Sequence, residues 1–130
     1  MRAFLVLLLT LTALAQAPAA VAQARPPAER QMLVDLAFVL GRSHALRQAC
    51  AGAADQYWRE RMNRLVATEA PDPAFDRQLK VSFNNGFSAA QAAFPRCSLS
   101  SRREEGIAAA RGRDLAASLT AAVAEDDPSR

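Results

Sequence analysis

Met32-Leu33-Val34-Asp35-Leu36-Ala37-Phe38-Val39-Leu40-Gly41-Arg42-Ser43-His44-Ala45-Leu46-Arg47-Gln48-Ala49-Cys50 is the stretch that decides the fold. Met32, Leu36, Val39, Ser43, Leu46 and Cys50 recur at alternating steps of four and three, while Leu33 and Leu40 widen the apolar stripe. That spacing marks one face of an α-helix. It predicts a helix over about 29–50, with Gly52 placed to end it, and a length of about 33 Å at the usual rise per residue.

Downstream the same period returns twice. Asp55 is placed to cap a helix running to about Ala70, with Trp58, Met62, Leu65 and Val66 on one side. Pro71 stops it, and Asp72-Pro73 starts the next, because Asp accepts from unpaired amides and Pro suits the first helical position. Phe75, Leu79, Phe83, Phe87, Ala90 and Phe94 carry the third stripe to Pro95. Asn84-Asn85-Gly86 interrupts it with a hairpin-like Asn-Gly, but the flanking period is helical. We therefore expect an unbroken helix in which Gly86 lets a neighbour approach closely. Ser101 and Glu104 suggest a capping box for a weaker fourth helix to about Ala124, with Ile107, Leu115, Leu119 and Val123 as its few large contacts. Short links make neighbours antiparallel, so the expected architecture is an all-α, up-down-up-down bundle over 29–124.

Upstream the chain changes character. Met1-Arg2 is followed by an apolar run from Ala3 to Leu14 and then by small residues, the pattern of a secretory signal peptide. Ala20-Val21-Ala22 is the best cleavage site, which makes 1–22 the signal, 23–28 a flexible arm and 125–130 a disordered acidic tail. The expected location is the periplasm. The 130 residues suit a single small domain; without Arg2 of the signal the formal net charge of +3 falls to 15 − 13 = +2, too balanced to imply nucleic acid or an anionic membrane as partner. No second long apolar run exists that would span a bilayer.

A helical core this small benefits from a covalent staple. Cys50 and Cys97 are the only two cysteines, and an even count in an exported chain points to a disulfide between them. Together with His44, the single histidine, they supply three metal ligands where a structural zinc site wants four, so no metal and no other cofactor is expected. In the expected bundle the first and third helices end on the same side, where both cysteines fall.

The densest polar and aromatic residues straddle the first turn. His44 and Arg47 share one helix face, as do Tyr57, Arg61 and Arg64. Packing of the two helices would gather these five into a candidate partner-binding surface. The plainer alternative pairs Arg47 with Asp55 or Glu60, leaves Arg59 and Arg61 solvated and lays Trp58 on the cystine. Catalysis has little support, because Ser43 and His44 point about 100° apart on a helix and no G-x-S-x-G, H-E-x-x-H or phosphate loop is present.

Several blocks fall in a distinctive order: Leu36 to Gly41 with His44-Ala45-Leu46-Arg47 and Cys50, then Asp55-Gln56-Tyr57-Trp58-Arg59-Glu60-Arg61-Met62, Phe83-Asn84-Asn85-Gly86-Phe87 and Phe94-Pro95-Arg96-Cys97. Over about 33–113 the chain resembles a family of small exported proteins of unknown function found in alphaproteobacteria. The resemblance implies a periplasmic location and brings no activity, cofactor or catalytic residue. Three functional expectations follow: a non-catalytic protein that binds an envelope protein through the His44, Arg47, Tyr57, Arg61 and Arg64 surface; a holdase chaperone whose fourth helix releases phenylalanines of the third; or a small enzyme or ligand-binding protein for anionic cell-wall fragments, built on His44.

Overall fold

Proline at a first helical position gives up an amide that would lack a partner there anyway, and Pro27 opens the first helix, α1, which runs Pro27–Ala51. The computed structural model describes residues 25–125; the signal sequence expected over 1–22 and positions 126–130 of the acidic tail lie outside the described residues. Three more helices follow, α2 (Tyr57–Glu69), α3 (Pro73–Ala93) and α4 (Leu99–Glu125), with no strand among the described residues. α1 begins two residues before its expected start at 29, and the arm residue Arg25 is fastened. Its guanidinium donates to Glu29 at 2.7 Å and to Glu69 at 2.8 Å, tying the start of α1 to the end of α2.

The boundaries follow from local chemistry. Asp72 accepts from the amides of Ala74 and Phe75, both at 2.9 Å, and caps α3. Ala70 adopts the left-handed conformation that ends many helices, directly before Pro71. The capping box of α4 differs from the expected one. Ser98 Oγ accepts from the Ser101 amide at 3.0 Å, and Ser101 Oγ accepts from the Ser98 amide at 2.8 Å, so Ser98 is the cap and Ser101 the reciprocal partner. Glu104 is thereby released to pair with Arg42 of α1. Ser98 and Ser101 repeat the three-residue spacing of Ser101 and Glu104, so the sequence offers the motif in two registers, and the earlier one forms.

α1 is the hub. Leu33, Leu36, Ala37, Val39, Leu40, Gly41, Ser43, His44, Ala45 and Leu46 are all buried and leave almost no solvent face in its second half. The other three helices each pack on α1, and among the described residues α4 does not pack against α2 or α3. Directions alternate as up-down-up-down. Ser82 Oγ donates to the Val34 carbonyl at 2.8 Å while Gly86 lies on Phe38, so α3 runs parallel to α1. Arg42 meets Glu104 while Val39 meets Gly112, so α4 runs antiparallel.

Two glycines set how closely α3 sits. A Cβ on Gly41 would lie 1.9 Å from the Phe83 carbonyl oxygen, and one on Gly86 would lie 2.0 Å from that of Phe38. Each helix thus presses its backbone into the gap left by the other's missing side chain, which is the use expected for Gly86 and a second, unanticipated use for Gly41. Phe75, Leu79, Phe83 and Ala90 fill the interface on either side of the crossing. α4 is attached more lightly. Ser101, Ala108, Leu115 and Leu119 are its buried residues, whereas Ile107 and Val123 are exposed. Alanine and glycine provide the actual seam, because the side of α4 that reaches α1 carries Ala108 and Gly112, not Ile107.

Cys50 and Cys97 are bonded with their Cα atoms 4.6 Å apart. The bond joins the end of α1 to the link between α3 and α4, across a sequence separation of 47.

Candidate functional site

The turn between α1 and α2 is built around two side chains of α1's last turns. Arg47 Nε donates to both carboxylate oxygens of Asp55 at 2.9 Å. Asp55 in turn accepts from the Tyr57 amide at 3.1 Å, which starts α2 even though the formal cap position is Gln56. Desolvation opposes the charged form of Asp55, but the Arg47 hydrogen bond and then the Tyr57 amide hold its carboxyl below the usual range. At the next position of α1, the Gln48 side-chain amide donates to the carbonyls of Ala53 at 2.9 Å and Asp55 at 3.0 Å. The turn is therefore closed by a guanidinium and a primary amide from successive positions.

On its outer side lies an arginine and tyrosine stack. The Arg61 guanidinium sits 3.4 Å from the centre of the Tyr57 ring, and that of Arg47 sits 4.6 Å from it. Arg61 also lies 5.4 Å from the Trp58 ring, which meets Tyr57 edge-on at 5.0 Å. Contacts of cations with aromatic faces hold long side chains in place. Tyr57 nonetheless remains 39% exposed.

His44 is elsewhere. It is fully buried, with its ring 5.8 Å from Phe83 and 5.4 Å from Phe87 of α3. Gln48 Nε2 lies 3.3 Å from His44 Nε2. The two hydrogens of that amide are directed to the Ala53 and Asp55 carbonyls, so the His44 contact is the longest of its three. Burial, and secondarily the charge of Arg59, lower its pKa below the ordinary value, with Asp55 opposing. His44 Nδ1 and the Oγ of neighbouring Ser43 are both buried without a hydrogen-bond partner.

Of the five residues that the sequence grouped, the structure brings together Arg47, Tyr57 and Arg61. Arg64 is exposed one turn further along the same side of α2, while His44 lies behind the turn, inside the α1–α3 interface. Asp55 starts α2 and pairs with Arg47, both as its position in the sequence suggested, whereas Gln48 is a residue whose role spacing alone did not reveal. Gln48 follows His44 by four positions, a separation at which helical side chains meet, and that was the available signal. Among the described residues no group of three or more His, Cys, Asp or Glu side chains converges as a metal site, and no helix is long and apolar enough to cross a membrane.

With this geometry in place, a family model described as "protein of unknown function (DUF2385)" matches residues 27–123. The chain belongs to the DUF2385 family. The match begins with α1 and ends two residues before the end of α4, so the DUF2385 unit is the whole four-helix arrangement and extends beyond the block-bearing stretch at both ends. No curated protein and no solved structure matches.

Proposed function

We propose that this DUF2385 protein is a non-catalytic periplasmic protein that binds a protein partner of the cell envelope through Arg47, Tyr57, Arg61 and Arg64, with His44 behind them as buried support. The observation that carries the reading is the exposed Tyr57 ring held by two guanidinium groups on a turn that Asp55 and Gln48 close from inside. Tyrosine and arginine are the residue types most often found at the energetic centre of protein contacts. Fixing them before contact lowers the entropy lost on binding. The export reading is supported by the composition of 1–22 and by a cystine of the kind that oxidising compartments favour.

Photo-crosslinking in intact cells tests it. A photoreactive side chain at position 57 or 64 is expected to give one discrete adduct that is lost in the Arg47→Ala, Arg61→Ala double variant, while the same group at exposed position 81 of α3 gives none. No adduct from 57 and 64, or the same adducts from all three positions, would overturn the reading. Cell fractionation places the protein in the periplasm or removes that part of the proposal.

A further inference from the structure

α2 and α3 both lean on α1 and only graze each other, which leaves a cleft of about 220 Å³ between them. Arg59, Met62 and Asn63 of α2 and Lys80, Phe83 and Asn84 of α3 line it. The floor is apolar and closed, because Met62 and Phe83 are buried. The rim is exposed and carries two cations, two amides and no carboxylate. Arg59 forms no ion pair among the described residues, and its guanidinium lies 5.5 Å from the centre of the Phe83 ring, over that floor. Lys80 reaches back along α3 to Asp76 at 2.7 Å, an exposed pair that a competing anion displaces at little cost.

We propose that this cleft binds a small organic carboxylate with a short apolar tail, its head between Arg59 and Lys80 and its tail on Met62 and Phe83. A planar guanidinium matches a carboxylate through two parallel hydrogen bonds, which favours Arg59 as the primary contact. The amides of Asn63 and Asn84 add neutral donors beside it. An inorganic anion would leave the apolar floor wet, and a neutral lipid tail would leave the two cations unused. The volume is below the roughly 300–1,000 Å³ of common small-molecule sites, so the occupant is fragment-sized. At 100° per residue, Arg59 and Asn63 lie on the opposite side of α2 from Tyr57, Arg61 and Arg64, so this site stands or falls separately from the partner surface.

The test is a titration of the ¹⁵N-labelled protein with octanoate, acetate and octyl glucoside in parallel, read at the side-chain amides of Asn63 and Asn84. Octanoate is expected to shift both signals saturably, with a Kd at least about tenfold below that of acetate or the glycoside, and the Arg59→Gln, Lys80→Gln double variant is expected to weaken it by about tenfold or more. Both substituted side chains are exposed, so the variant retains the fold. No saturating shift with octanoate, equal affinity for acetate or for the glycoside, or unchanged affinity in the double variant would overturn the proposal.

Discussion

α3 and α4 lie along the same central helix and are held to it by different means. On the α3 side the backbones cross at Gly41 and Gly86, and Phe75, Leu79, Phe83 and His44 fill the space beside the crossing. On the α4 side only Leu115 and Leu119 are large and buried, with Ala108, Gly112 and Ser101 between the helices. The first contact depends on missing atoms at two positions. The second depends on a few present ones. The longer helix, α4, therefore has the lighter attachment, and the buried phenylalanines of the fold, Phe75 and Phe83, lie on the α3 side.

The contrast fixes what each helix covers. Release of α4 uncovers Leu36 and Val39 of α1, against which Gly112 packs, and leaves the phenylalanines of α3 covered by α1. It also explains why His44 is a poor candidate for chemistry, since its ring is part of the α3 contact and is fully buried.

Four perturbations break or sharpen the contrast. The largest is the cystine, which anchors the link between the two unequal helices to the end of α1. Reduction, or Cys97→Ala, is expected to lower stability by about 2–5 kcal/mol in urea unfolding; an unchanged midpoint would mean that packing alone holds this corner. Next is Gly86→Ala, which drives a methyl group into the Phe38 carbonyl and is expected to cost about 1–3 kcal/mol or more, because backbone, not a flexible side chain, must move. A stability equal to that of the parent would show that the α1–α3 crossing is loose.

A smaller effect concerns acid. His44 has a folded pKa below its unfolded value, so the unfolded chain takes up the proton more readily. Its contribution to stability is intact above about pH 6.5, falls as pH drops below that, and levels off beneath the folded pKa. Protonation would also set an Nε2 proton against the Gln48 amide. Urea midpoints at pH 7.5 and 5 should therefore fall with acid, and the His44→Gln variant should remove that part of the slope. A parent protein that gains stability over this window would contradict the assignment. The smallest effect lies on α4: Gly106 faces open space, so Gly106→Ala should raise stability by about 0.4–1 kcal/mol through the unfolded chain alone.

Most of the fold was legible because it was written in period. The stripes of α1 and α3, the Asp72-Pro73 start and the two cysteines each named their own structural consequence. The central position of α1 was visible only in part, since Leu33 and Leu40 widened its stripe without saying which helix would cover them. Ile107 and Val123 misled because large side chains were given more weight than small ones, whereas close helix contact on α4 selects alanine and glycine. Ser101 belongs to the capping box in a register three residues earlier than expected, because Ser98 and Ser101 share the spacing of Ser101 and Glu104. At the turn, Arg47, Tyr57 and Arg61 shared predictable faces, but His44 went inward with α3 because its side of α1 is also the side of Gly41. The α2–α3 cleft had no sequence signal, being a gap between helices that each prefer α1.

The central claim is that α3 is locked onto α1 while α4 is only laid against it, and native-state hydrogen exchange of the intact, oxidised protein tests it most directly. The amides of α1 and α3 around Gly41 and Gly86 are expected to exchange only through global unfolding, whereas those of α4 from Gly106 onward open at a distinctly lower free energy and with little sensitivity to urea. Equal protection along α3 and α4, rising together with stability, would contradict it.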